Sequence, residues 1–207
     1  DWSSDVCSSD LIAEISQDIN TSPPLNVRGV FFGRVNNMIL VAGSLNYDII
    51  LKVKRMPREG ETMTCESASS AAGGKGANQA VQAAKLGVPT FMIGAVGADN
   101  MGDYLLEEGR NYGLDVSRVK RSWESTGMGC IHALEDGRVF ATINRGANYD
   151  VTTADLDASE DLFKTAKILI LQNEIPHEVN IHAANLARTH GLKVLYNAAP
   201  AFPEKKE

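Results

Sequence analysis

Ala71-Ala72-Gly73-Gly74-Lys75-Gly76-Ala77-Asn78-Gln79-Ala80-Val81 decides the reading of this chain, because three glycines around a lysine run straight into an alanine-rich segment. Glycine carries no Cβ and tolerates positive φ, so a ligand can lie against the main chain at Gly73, Gly74 and Gly76. Ala77, Ala80, Val81 and Ala84 recur at helical spacing, and Gly87 stands where that helix would stop. The first N–H groups of such a helix have no partner within it and would point at whatever the glycines admit. Two familiar phosphate loops do not fit. A Walker loop needs glycine five residues before its Gly-Lys pair, where Ser69 stands, and a dinucleotide fingerprint needs Gly or Ala where Gln79 stands. A closely packed turn at a helix start is the competing account of the glycines.

Further motifs flank this stretch in a fixed order. Val41-Ala42-Gly43-Ser44-Leu45-Asn46-Tyr47-Asp48 precedes it, as a strand running into an Asn-x-Asp turn. Pro57-Arg58-Glu59-Gly60-Glu61-Thr62 lies between that turn and the glycines. After the glycines come Val96-Gly97-Ala98-Asp99-Asn100-Met101-Gly102, Glu124-Ser125-Thr126-Gly127 and Arg145-Gly146-Ala147-Asn148. Leu171-Gln172-Asn173-Glu174 and Asn197-Ala198-Ala199-Pro200-Ala201 complete the set. Each motif is weak alone, but the ordered set resembles the ribokinase family of carbohydrate kinases, also called the PfkB family, from about Met38 to Ala201.

The resemblance implies an α/β, ribokinase-like fold: a parallel sheet flanked by helices, with a small antiparallel β lid. It implies transfer of the γ-phosphoryl of ATP to a hydroxyl of ribose or a similar small sugar, with Mg²⁺ and a monovalent cation as cofactors. It also implies a homodimer formed through the lid. Fructose, 2-dehydro-3-deoxygluconate and nucleosides are alternative substrates within the family, and a sugar-binding or dimerisation module without catalysis is the alternative outside enzymes. By matching position, the sugar site comprises Asn46, Asp48, Gly74, Lys75, Gly76, Asn78 and Glu174. The family's base and anion hole belong to an Asp-Thr-x-Gly-Ala-Gly-Asp motif, and its Mg²⁺-phosphate region to an Asn-x-x-Glu motif. Neither string occurs in these 207 residues. The expectation is therefore a sugar-binding N-terminal portion without the nucleotide-binding part, inactive by itself and with its last strand, Lys193 to Asn197, uncovered.

The residue types suit that chemistry independently of the resemblance. Carboxylates and amides can each engage neighbouring hydroxyls of a sugar, and Asn46, Asp48, Asn78 and Glu174 are such groups. Asn46 and Asp48 follow one strand candidate and Glu174 another, so both can reach one edge of an open sheet, where α/β folds bind ligands. Competing structural roles exist for each: a turn bonding its own backbone for Asn46 and Asp48, and an acid at a helix start for Glu174. Lys75 suits a sugar or phosphate contact or a solvated surface. Asp99 superficially matches a Gly-Ala-Gly-Asp base, but its neighbours assign it to the start of a helix at Asn100.

Composition bounds the rest. With 43% hydrophobic and 22% charged residues and a net charge of −6, the chain has room for a core and no electrostatic attraction for nucleic acid or anionic membranes. Its three cysteines and four histidines show no metal-ligand spacing, and an odd cysteine count fits reduced thiols in a cytoplasm. No apolar run is long enough to cross a bilayer.

Residues 1–37 stand outside the pattern. Asp1 to Asp10 is a Ser/Asp-rich stretch that reads as a cloning or assembly scar, and Leu11 to Ile19 as a short helix before Pro23-Pro24. Met38 is the expected natural start. From there, strands are expected at Ile39 to Gly43, Thr90 to Val96, Ile168 to Leu171 and Lys193 to Asn197. Helices are expected from Asn100 to Gly113, with Met101, Tyr104, Leu105 and Tyr112 on one face, from Ala154 to Ala166, and from Glu178 to Gly191. Lid strands are expected at 48–53, 61–68, 127–134 and 138–144, the last pair turning at Asp136-Gly137.

Overall fold

The structure, a computed structural model, describes residues 38–201; the expectations for the N-terminal 37 residues lie outside them. Its centre is β1 (Ile39–Ala42), every residue of which is buried. Alternation along this strand sends Ile39 and Val41 to one face and Leu40 and Ala42 to the other. Each set enters a separate core. β1 pairs in parallel with β4 (Thr90–Gly97) on one side and β8 (Ile168–Gln172) on the other. β5 (Asp115–Ser122) and β9 (Lys193–Asn197) form the edges of the order β5-β4-β1-β8-β9.

Helices α1 (Lys75–Lys85) and α2 (Asn100–Asn111) cover one face, where Ala80, Ala83, Leu105 and Leu106 meet Val41, Met92 and Val96. Helices α3 (Thr153–Asp157), α4 (Glu160–Thr165) and α5 (His177–Thr189) cover the other, where Leu156, Phe163, Val179, Ala183 and Ala187 meet Leu40, Leu169 and Leu171. A sheet covered on both faces requires predominantly apolar strands, and β1, β4 and β8 meet that requirement apart from the buried Thr90 and Gln172, each at a strand end.

The second sheet comprises β2 (Asn46–Val53), β3 (Ser67–Gly73), β6 (Gly127–Leu134) and β7 (Val139–Asn144), in the order β3-β2-β6-β7. It is mixed rather than antiparallel: β2 and β6 run parallel at its centre, with an antiparallel strand on each side. The β6–β7 turn closes as expected, with Gly137 at φ 86° and its N–H donating to the Leu134 carbonyl.

Several expectations are corrected. The strand expected at 61–68 lies at Ser67–Gly73, so Ala71-Ala72-Gly73 is the end of a strand rather than the approach to a helix. β5 was not expected at all. The helix expected from Ala154 to Ala166 is two short helices, the first closed by a capping box between Thr152 and Asp155. On α2 the inward face is Gly102, Leu105, Leu106 and Gly109, whereas Met101 and Tyr112 are exposed; its N-cap is Asp99, not Asn100. On α1 the buried set is Gly76, Gln79, Ala80 and Ala83, one position away from the expected stripe.

Candidate functional site

Three chain segments meet where β1 ends. The Ser44-Leu45-Asn46 turn leads from β1 into β2, the glycine stretch leads from β3 into α1, and Asn173-Glu174 follows β8. Gly74, at φ 91°, is the N-cap of α1, and a Cβ there would lie 2.8 Å from the Ser44 carbonyl oxygen. Gly76 is equally constrained, since its Cβ would lie 2.5 Å from the Ser44 nitrogen. The glycines therefore allow two backbones to approach each other.

The first N–H groups of α1 are consequently not open to a ligand, which corrects the expectation from sequence. Lys75 N–H donates to Glu174 Oε2 at 2.8 Å, and Gly76 N–H to Ser44 Oγ at 3.3 Å. Ala77 N–H donates to the Ser44 carbonyl, while Ser44 Oγ–H donates to Glu174 Oε2 at 2.5 Å. Glu174 thus caps a helix remote in sequence, where the dipole favours a negative charge. Its other oxygen lies 3.5 Å from Lys75 Nζ.

Asn46 is buried, and its Oδ1 accepts a hydrogen bond from Asn148 Nδ2 at 2.7 Å. Asn148 also bonds both backbone groups of Leu45. Asp48 stands two residues further along β2, on the same face as Asn46, opposite Gly129 on β6 and Ala71 on β3, with Gly73, the partner of Asn46, diagonal to it. A Cβ at Gly73 would fall 2.0 Å from Asp48 Oδ2, and one at Gly129 would fall 2.3 Å from Oδ1. Burial pushes the Asp48 carboxyl above the ordinary aspartate range and the Glu174 charge adds to this, while Lys75 and the Gly129 N–H oppose it.

Asn46, Ile143, Arg145, Asn148, Tyr149, Asn173, Glu174, Pro200 and Ala201 line a half-open cavity of ≈ 200 Å³. Asn173 holds the far wall: its N–H donates to the Ala199 carbonyl, its Nδ2 to the Pro200 carbonyl, and its Oδ1 accepts from the Tyr196 hydroxyl. Arg145 lies over the Tyr149 ring, 4.3 Å from its centroid.

Of the residues expected from sequence, Asn46 and Glu174 line the cavity. Asp48 and Lys75 are coupled to Glu174 by charge, while Gly74 and Gly76 shape the junction beneath. Asn78 is exposed one helical turn from Lys75 and is not among the cavity-lining residues. Sequence reasoning missed Ser44, Asn148, Asn173 and the Gly127-Met128-Gly129 pair of glycines. A signal existed for two of them: glycine at alternate strand positions marks one face cleared of side chains, and an asparagine directly after Ala147 marks a polar group entering the core.

Asp99 has a structural task. Its Oδ1 accepts from Gly102 N–H at 2.8 Å and from Thr126 Oγ1–H at 2.6 Å, and its Oδ2 from Thr126 N–H at 2.8 Å. Burial would raise its pKa, but the Thr126 and Gly102 donors outweigh that and hold it below the ordinary value. Such a carboxylate is a poor proton acceptor.

A resident metal ion does not fit these groups. Among the described residues no three His, Cys, Asp or Glu side chains converge, and the two carboxylates of the site already face N–H and O–H donors and an ammonium group.

Residues 36–207 match the profile of the pfkB family carbohydrate kinases. The chain is 40% identical over 172 residues to a ribokinase of Schizosaccharomyces pombe, covering 80% of this chain and 54% of that protein. It is 34% identical over 167 residues to a deoxyribokinase of Salmonella typhi, covering 80% of this chain and 55% of that one. Its fold superposes on that of Arabidopsis thaliana ribokinase complexed with ribose and ATP with a TM-score of 0.70 at 32% identity, covering 79% of this chain and 54% of that one. The chain spans about half the length of the curated relatives it matches.

Proposed function

The chain belongs to the pfkB family of carbohydrate kinases, and from that premise we propose that it forms the sugar-recognition part of an ATP-dependent kinase that phosphorylates D-ribose. The observation that carries this reading is the convergence of Asn46, Asp48, Lys75 and Glu174 beside a cavity at the end of β1. A ribokinase holding ribose and ATP has the same fold, which supports the assignment. The cavity is smaller than the roughly 300 Å³ of typical drug-sized pockets, as suits a single sugar ring.

Each group has a defined part in this reading. Asp48 accepts hydrogen bonds from neighbouring hydroxyls, with the cleared faces at Gly73 and Gly129 letting the sugar approach its carboxylate. The Lys75 ammonium contributes a donor on the same side, and Glu174 holds that lysine and the start of α1 in place. Ile143, Pro200 and Ala201 supply apolar walls that exclude water from the ring. Arg145, stacked on Tyr149, sets the charge at the cavity edge. Phosphoryl transfer also needs a group to take the hydroxyl proton and donors for the transferring phosphoryl. We assign neither to these residues: Asp99 is committed to Thr126 and Gly102, and Glu174 to Ser44 and Lys75. ATP and its counter-cations are accordingly proposed to bind mainly through residues that this chain does not supply.

Val139, Phe140 and Ile143 are exposed on the outer strand of the second sheet, which supports pairing of that sheet with a second copy as a homodimer. Among the described residues no helix is long and apolar enough to cross a membrane, and Cys65 and Cys130 are unpaired, as in a reducing cytoplasm.

The test is a sugar panel assayed with ATP in the complete gene product. D-ribose should give the highest kcat/KM, with 2-deoxyribose next, as the Salmonella relative suggests. Preference for fructose or 2-dehydro-3-deoxygluconate would overturn the ribose assignment within the family, and absence of transfer to any sugar would favour a binding module.

A further inference from the structure

We infer that Asn148 is a positioning residue that fixes the side-chain amide of Asn46 in one orientation, so that the cavity presents an N–H donor rather than a carbonyl acceptor. The assignment rests on the sugar-site reading above but starts from backbone groups whose polarity is not in question. Leu45 N–H can only donate, so the Asn148 atom 2.9 Å from it is the carbonyl oxygen Oδ1. The Leu45 carbonyl can only accept, so the atom of Asn148 3.2 Å from it is Nδ2. With Asn148 fixed from both sides, the second Nδ2 proton is directed to Asn46, 2.7 Å away, and the atom receiving it must be Oδ1. The reverse orientation of Asn46 would oppose two NH₂ groups at hydrogen-bond distance.

Burial makes this arrangement decisive. Asn46 is 3% and Asn148 2% exposed, and both line the cavity. Water cannot substitute for the lost partner, and a misoriented amide would carry the cost of an unsatisfied buried donor. Gly127 completes the device, because a Cβ at that position would lie 2.2 Å from Asn148 Nδ2 and 2.4 Å from Asn46 Oδ1. Donor Asn46 and acceptor Asp48, on the same face of β2, would then read a sugar oxygen as acceptor and a hydroxyl as donor respectively. The 3₁₀ turn carrying Asn148 (Gly146–Asp150) is thereby coupled to sugar selectivity.

Side-chain amide NMR of the ¹⁵N-labelled chain tests this, with D-ribose as the probe and Asn46→Asp and Asn148→Ala used for assignment. Both Asn148 Nδ2 protons should exchange slowly with water and those of Asn46 at least about tenfold faster, and D-ribose should shift the Asn46 pair. Asn148→Ala and Asn46→Asp should each weaken ribose binding by about tenfold or more, and the double variant no more than the worse single variant. Equal protection of the two amides, unchanged ribose affinity in a folded Asn148→Ala, or losses that multiply would each overturn the inference. If D-ribose shifted no resonance of the wild type, the sugar assignment would fail, while the exchange pattern would still decide whether Asn148 orients Asn46. Should Asn148→Ala not fold, Asn148→Ser and the exchange rates of the wild type carry the test.

Discussion

Lys75 and Glu174, 99 residues apart, meet twice: the Lys75 backbone N–H donates to Glu174 Oε2 at 2.8 Å, and the Lys75 ammonium lies 3.5 Å from Oε1. One carboxylate therefore ties β8 to the start of α1 and holds a charged side chain beside the cavity. A residue on the wall of a candidate site is also part of the fold that makes the site.

That double duty separates two substitutions. Glu174→Gln keeps an acceptor oxygen for Lys75 N–H and Ser44 Oγ–H and should cost about 1 kcal/mol of stability through loss of the charge–dipole and charge-assisted terms. Glu174→Ala leaves those donors without a partner and should cost about 2–4 kcal/mol. Urea unfolding of the two variants checks the order; equal destabilisation would show that the neutral acceptor kept by glutamine retains none of the cap.

Asp48 should behave in the opposite sense. Its folded pKa is raised, chiefly by burial and then by Glu174, so the folded state holds a proton that the unfolded state releases. Stability from this group is complete below the ordinary aspartate value, about 3.9, and is lost as pH rises through the raised folded value. Asp48→Asn should therefore be more stable than wild type at pH 7, with the difference vanishing by about pH 4, while sugar affinity falls. Melting temperatures across that range provide the check, and a variant less stable at pH 7 would contradict the assigned cause.

Gly129 should be replaceable only together with Asp48. A Cβ 2.3 Å from Asp48 Oδ1 forces the carboxylate to move, so Gly129→Ala should cost about 1–3 kcal/mol and weaken sugar binding. Adding Asp48→Ala should recover most of the lost stability and none of the binding. Additive stability losses in the double variant would show that the glycine serves another neighbour.

Asp99→Ala should lower stability by about 1 kcal/mol or more, through loss of the α2 cap and the Thr126 bonds, without changing sugar affinity. Its folded pKa is depressed, so the stability it contributes is present above the ordinary aspartate value and disappears as acid titrates it. Loss of phosphoryl transfer at unchanged stability would instead make Asp99 a base.

The parts of this architecture legible in the chain are those governed by local pattern. The apolar runs of β1, β4 and β8 and the turn at Gly137 needed only neighbours in sequence to be read, whereas Asn46 and Glu174 were singled out by their place in the ordered family motifs. β5 was missed because Asp115-Val-Ser-Arg-Val-Lys-Arg-Ser carries charges suited to a sheet edge and only two buried valines. β3 was misplaced because Ser67–Gly73 is built of small residues with little strand preference of their own, and their pairing comes from β2. The occupied N–H groups of α1 could not be read at all, since their partners lie on Ser44 and Glu174, and contacts of that separation leave no periodic trace.

The central claim is that Asp48 and its neighbours recognise the sugar, and the most direct measurement is the kinetics of Asp48→Ala in the complete gene product with D-ribose and ATP varied separately. A half-buried carboxylate bonding two hydroxyls predicts a loss of about 2–4 kcal/mol in kcat/KM for ribose, roughly 30- to 1,000-fold, with the KM for ATP nearly unchanged. An unchanged ribose kcat/KM, or an effect confined to ATP, would contradict it and leave Asn46 and Asp48 as structural residues at the start of β2.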